Sequence, residues 1–218
     1  GIRATGPDML QAATDYYAKQ NLATTSVQST AGVTQSDLAV LHQHRDQISY
    51  QAVKYLDINQ LNNNQVVRVA ELPSGKLNRV TVVSGHLPRR ANEIVLDQQA
   101  RTLQPNLKLG ATYRIATTSA LNRQFTRRTF KIVGFVNSPR YIERTTRGVT
   151  TVGKGTLDYF ALVKPGTLTQ TVASRVDIGV KNLRGVTPYT AKYKRLNKPP
   201  SAQLKRWLAT QAAKRQPH

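Results

Sequence analysis

The chain is a succession of short β-prone runs cut by Gly, Pro and Asn, and that pattern limits its fold more than any other feature. ISYQAVKYLDI (48–58) and NQVVRVAEL (64–72) alternate apolar and polar residues at period two around an Asn-rich turn, which predicts an antiparallel hairpin. LATTSVQST (22–30), LNRVTVVSG (77–85), the EIVL of 93–96, LGATYRIATT (109–118), TFKIVGFV (129–136), YFALV (159–163) and SRVDIGVKN (174–182) read as further strands. SALNRQFTRR (119–128) reads as a charged turn or hairpin. Helical spacing is rarer. PDMLQAATDYYAKQ places Met9, Ala12, Ala13, Tyr16 and Tyr17 on one stripe. TQSDLAVLHQH offers Thr34 as N-cap with Asp37 three residues on, and SAQLKRWLATQAAKR puts Leu204, Trp207, Leu208 and Ala212 on one face. Strands outnumber helices and both are mixed, so the predicted class is α+β. The longest apolar runs, such as YFALV, fall far short of the roughly 18 residues that a membrane-spanning helix needs.

Charge is the strongest compositional signal: 32 Lys and Arg against 11 Asp and Glu give a formal +21. The excess is lopsided, with 9 basic and 8 acidic residues in 1–100 but 23 basic and 3 acidic in 101–218. Such asymmetry points to one part of the chain meeting something anionic, against the plainer reading of a well-solvated surface. With no cysteine, disulfides and thiolate metal sites are excluded, and an extracytoplasmic setting is mildly favoured. Gly1, with no initiating Met, is expected to mark a cut from a longer chain.

Catalytic constellations are thin. RGVTTVGKGT (147–156) comes within one residue of the phosphate-loop signature G-x-x-x-x-G-K-[ST]: Gly148, Gly153 and Lys154 are spaced correctly, but Gly155 stands where a magnesium-binding hydroxyl belongs. The segment after it reads as a strand, whereas phosphate is cradled at a helix N-terminus. His42 and His44 are two apart and cannot share a metal from one helix face, and Glu93 and Asp97 read as solvated carboxylates flanking an apolar triplet. No catalytic, cofactor-binding or metal-binding residue is assigned, and enzyme activity is not expected. Nucleic acid is the rival explanation for the charge, weakened by only 4 Phe and 1 Trp and by basic residues scattered over turns and strands.

Three stretches in this order, GHLPRRANEIVLD (85–97), FKIVGFVNSPRYI (130–142) and RGVTTVGKGTLDYFALV (147–163), resemble the extracytoplasmic, MacB-like core domain of FtsX-like ABC transporter permeases of Gram-positive bacteria. GIRATGPDM and STAGVTQSDLAVL extend the resemblance to the N-terminus, so that it covers about residues 1–195. It implies a porter-like α+β lobe formed by 1–84 and 156–198, an inserted β-rich, sabre-like lobe of 85–155, and the start of a helical stalk at 199–218. It also implies a domain held on the extracellular face of the cell membrane. A separate cytoplasmic subunit would bind and hydrolyse ATP, and that work would be transmitted to an envelope client, by mechanotransmission or export. The glycine-bearing 147–156 segment would be a connection rather than a nucleotide site, and no cofactor is implied. Loop cations of the insert and its exit, Arg123, Arg127, Arg128, Arg140, Arg144, Arg147 and Lys154, with Ser138, Pro139 and Tyr141 of the S-P-x-Y segment, form the candidate interaction surface. Its expected partners are anionic envelope lipid or wall polymer, with a second permease domain or a homodimer as further expectations. The alternative function is that of a basic nucleic-acid-binding protein.

Overall fold

The computed structural model describes residues 25–75, 77–138 and 150–180. The stripe following Pro7, the C-terminal amphipathic run and residues 139–149 lie outside them. Among the described residues strand outweighs helix, and the class is α+β. The chain divides into two units. Described residues of the first fall in 25–52, 74–79 and 172–180, and those of the second in 53–73 and 80–171.

In the first unit, β1 (Thr25–Val33), β2 (Ile48–Val53) and β10 (Ala173–Val180) form a sheet in the order β1-β10-β2, with β10 antiparallel to β1. Helix α1 (Gln35–Gln43) follows β1 through a complete capping box: Asp37 N–H donates to the Thr34 side chain, and Thr34 N–H donates back to Asp37 Oδ2 at 2.9 Å. This start was legible because both members of the box are spelled out locally. Leu41, Ile48, Val176 and Ile178 make up a small core.

The second unit is built on one mixed sheet. Its strands are β3 (Tyr55–Asn59), β4 (Val66–Glu71), β5 (Thr81–Gly85), β6 (Glu93–Asp97), β7 (Thr112–Arg114), β8 (Thr129–Asn137) and β9 (Tyr159–Val163). The order is β3-β4-β9-β6-β8-β5, with β7 also paired to β8. The predicted hairpin is present only in part: its first arm, 48–58, splits into β2 of the other sheet and β3, and β3 pairs with β4 in antiparallel register from Tyr55↔Ala70 to Asn59↔Val66. Two short helices, α2 (Gln99–Leu103) and α3 (Ser119–Asn122), lie in the connections of this unit. The second occupies the stretch read as a charged turn, where the Thr118 side chain accepts from Leu121 N–H.

The central strands β4, β9 and β6 are buried nearly end to end because the sheet is covered on both faces, the usual condition of strands in parallel pairing. Ile58, Val67, Val69, Ile94, Leu96, Ile132 and Phe135 point to one face and Ala70, Val95, Val136, Phe160 and Leu162 to the other. A fully buried Ile, Leu or Phe contributes about 1.5–3 kcal/mol relative to exposure.

The division differs from the one expected from sequence. YFALV, grouped there with the chain ends, is the strand between β4 and β6, in parallel register with Val67–Glu71 on one side and antiparallel to Ile94–Leu96 on the other. A cut at Gly85 and Thr156 would sever a continuous hydrogen-bonded sheet. The change of texture at Gly85 reflects a tight turn inside one unit.

Candidate functional site

The glycine-punctuated loop before β9 is held by the ends of β3 and β4. Asp158 Oδ2 accepts from Val66 N–H at 2.8 Å, and its other oxygen accepts from Lys154 Nζ at 2.7 Å. Thr150 Oγ1 donates to Asp57 Oδ2 at 2.6 Å, and Thr150 N–H donates to Gly155 O at 2.9 Å. Gly155 has φ +88°, a conformation that favours glycine, which explains why a Ser or Thr does not stand there. The loop leads into a strand, and its lysine is already matched to a carboxylate. These contacts tie the loop to the sheet. They do not form an amide cradle.

Behind the loop, Asp57 and Arg68 are cross-strand partners joined by two hydrogen bonds, Nε to Oδ1 at 2.8 Å and Nη2 to Oδ2 at 3.0 Å. Their side chains are 11% and 9% exposed, and the guanidinium lies over the Tyr55 ring, 4.0 Å from its centroid. The sequence reading passed over this pair, although opposite charges facing each other across a hairpin are its signal once the register is known.

Other carboxylates of the second unit are engaged in the same way. Glu71 Oε2 accepts from Gly166 and Leu168 N–H, both at 2.9 Å. Glu93 Oε1 accepts from Arg89 and Arg90 N–H at 2.8 and 2.9 Å, which holds its carboxyl below the ordinary value of 4.5. Asp97 is fully buried, and its Oδ1 accepts from Gln99 N–H at 3.1 Å. Glu93 and Asp97, expected to be merely solvated, instead close the turns at the two ends of β6.

The residues that carry the family resemblance also have visible structural work. Gly85 has φ +73°, and a Cβ there would collide with Val133 O, while a Cβ on Gly134 would collide with His86 O. The two glycines therefore permit the close approach of the β5 exit to β8, sealed by His86 N–H donating to Val133 O at 3.0 Å. Pro88 is buried and Leu87 packs on the sheet. The three stretches become neighbours: β6 runs parallel to β8 and antiparallel to β9.

Below the sheet, Tyr113 and Tyr159 hydroxyls meet at 2.7 Å, and Gln60 Nε2 donates to Tyr113 at 3.1 Å. Burial pushes both phenols above their ordinary 10. Among the described residues no group of three His, Asp or Glu is placed to hold a metal.

The candidate surface residues separate on inspection. Arg123, Arg127 and Arg128 are exposed and lie together in the α3–β8 connection, where Arg128 Nη1 donates to Asn122 O at 3.1 Å. Lys154 is half-exposed and ion-paired. Ser138 is a correction: it is 7% exposed, enclosed at the end of the buried strand β8, and presents no surface. Pro139, Arg140, Tyr141, Arg144 and Arg147 lie outside the described residues.

No protein-family model and no curated protein matches the chain. Among solved structures it is similar to the extracellular domain of the noncanonic ABC-type transporter YknZ from Gram-positive bacteria. The TM-score is 0.43 at 11% identity, covering 83% of this chain and 92% of that one. It is similar also to a domain of a protein assigned as a permease from Porphyromonas gingivalis, with a TM-score of 0.37 at 12% identity over 82% of this chain and 77% of the other.

Proposed function

We propose that this chain is the extracellular domain of an ABC transporter permease of the FtsX and MacB type, held at the cell membrane. In this reading a separate ATPase subunit hydrolyses ATP in the cytoplasm, and the domain converts that work into movement against an envelope client. The observation that carries the reading is the placement of the motif stretches. Segments separated by tens of residues, recognised only by their order in the sequence, occupy three adjacent strands, and Gly85, Gly134 and Glu93 of those segments have specific backbone tasks there. Among the seven strands of this sheet, the three stretches supply the consecutive neighbours β9-β6-β8. Porter-like and sabre-like lobes are part of the proposal, with their boundaries revised to the two units described above, and so is association with a second permease domain or a second copy.

Charge supports an anionic partner in the envelope. Described residues of the second unit carry thirteen Lys and Arg against five Asp and Glu. That leaves a formal excess of eight positive charges, with Asp57 and Asp158 already taken up in ion pairs with Arg68 and Lys154. The nucleic-acid alternative has no such specific support, since Tyr113, Phe125 and Phe130, interleaved with the exposed arginines of 114–128, are buried.

The experiment is affinity purification of the complete protein from detergent-solubilised membranes. An ATP-hydrolysing subunit should co-purify in near-stoichiometric amount. Recovery from the soluble fraction without any ATPase contradicts the proposal.

A further inference from the structure

We infer that the exposed face of β7 and β8, with the arginines leading into it, binds a base-free phosphate polymer, a chain of phosphodiester-linked polyols. The inference names the partner within the extracellular reading and rests on it. Over β7 and the start of β8 exposure alternates: Thr112 and Arg114 face solvent on either side of buried Tyr113, and Thr129 and Lys131 do so around buried Phe130. The register sets Arg114 opposite Thr129 and Lys131 opposite Thr112, so Arg114 and Lys131 are diagonal neighbours roughly 7–8 Å apart.

The ladder continues past the strand end, because Ile115 N–H donates to Arg128 O at 2.8 Å. Arg127 is therefore one two-residue step from Thr129 and two from Lys131, on the same side as both, each step covering roughly 6.6 Å. Arg123 caps the C-terminus of α3, and Arg128 is held against the same helix by its bond to Asn122 O. Arg114, Lys131 and Arg127 thus share one side of the ladder, and Arg123 and Arg128 flank it beside α3. The acidic side chain in register with Lys131 is Glu93, an anion held by the amides of Arg89 and Arg90, and the five cations outweigh this one carboxylate.

The form of the site selects among polyanions. Nucleic acids without a sequence code are held by charges together with aromatic rings on which bases stack. Here Tyr113, Phe125 and Phe130 alternate with the arginines but are 4%, 4% and 2% exposed, all turned into the core. A bilayer surface is gripped by charges beside exposed apolar side chains. Large exposed hydrophobics also lie next to these strands, since Val82 and Val83 are on β5, which pairs with β8, and Leu61 N–H donates to Ala116 O just past β7, so a bilayer is an arm of the test. A linear cationic track without exposed stacking platforms fits a flexible phosphate chain.

The test is titration of the 218-residue chain with a synthetic glycerol-phosphate polymer across a salt series, beside a single-stranded oligonucleotide of equal charge and anionic phospholipid vesicles. Five phosphate contacts on a flexible strand give a log–log salt slope of about −3.5, so affinity should fall about a hundredfold between roughly 50 and 200 mM salt. Arg114→Ser/Arg127→Ser/Lys131→Ser should flatten the slope by about 2. The control Arg45→Ser/Lys54→Ser/Arg79→Ser, which removes the same charge elsewhere, should leave it unchanged. Arg127→Ser alone, in a connection, should lower the slope by about 0.7 and guards against misfolding of the triple variant. Equal losses in the two triple variants, or tighter binding of the oligonucleotide or the vesicles than of the polymer, overturn the inference. The readout needs no membrane or ATPase, so its failure leaves the co-purification result standing, and a failed co-purification leaves the polymer affinity standing.

Discussion

Replacing Asp57 by Ala should be among the most damaging single changes in the second unit. It leaves the Arg68 guanidinium, 9% exposed, without the carboxylate that takes two of its hydrogen bonds, and it removes the acceptor of Thr150 Oγ1. Breaking a buried ion pair from one side costs about 3–5 kcal/mol, most of it the burial of the surviving charge. The Tyr55 ring above the guanidinium offsets only part, about 0.5–2 kcal/mol. With a urea dependence of about 1–3 kcal/mol per molar, the unfolding midpoint should fall by roughly 1–2 M, read by far-ultraviolet circular dichroism. The double change Asp57→Val/Arg68→Val removes both charges and should be milder than Asp57→Ala alone, since an apolar pair of similar volume often replaces a buried ion pair at little cost. A cost below about 1 kcal/mol for Asp57→Ala, the range of exposed pairs, refutes the reasoning. So does a double variant as unstable as the sum of the single ones.

Gly85→Ala should destabilise the protein by at least about 1–2 kcal/mol from left-handed backbone strain alone, with the collision against Val133 O adding to it; a thermal midpoint within error of the parent contradicts this. Tyr113 and Tyr159 have folded-state pKa values raised above 10, so the stability they confer is intact below pH 10 and is lost as pH rises beyond it. Denaturant midpoints measured from neutral to strongly alkaline pH should fall steeply only above about pH 10, and Tyr113→Phe/Tyr159→Phe should blunt that fall. Lys154→Ala should change stability by less than about 1 kcal/mol, and calorimetric titration with Mg-ATP should give no saturable signal in either protein; a micromolar signal that disappears in the variant reverses the reading of the loop.

Local signals were readable and non-local ones were not. The Thr34–Asp37 capping box, the Asn-rich turn joining β3 to β4 and the strand character of YFALV depend on residues within a few positions of one another, and each is present. The position of YFALV between β4 and β6 depends on pairings across about 90 and 65 residues, which no local pattern encodes. Likewise Arg68 and Glu71 sit in a run that alternates like a half-exposed strand, yet both are 8% exposed because Asp57 and the 166–168 amides satisfy them. Exposed cations of the candidate surface were legible as charge, but the line formed by Arg114, Arg127 and Lys131 emerges only from the β7–β8 register. Ser138 was misplaced because a serine beside a proline looks like a loop residue until the burial of β8 is known.

The central claim is that the second unit lies outside the cell membrane, and thiol labelling tests it most directly. These 218 residues contain no cysteine, and Thr102 in α2 is exposed, so Thr102→Cys in the complete protein adds one reporter to this domain. In intact cells a membrane-impermeant maleimide should label it as fully as in lysed cells, against the parent protein as background. Labelling that appears only after lysis contradicts the account.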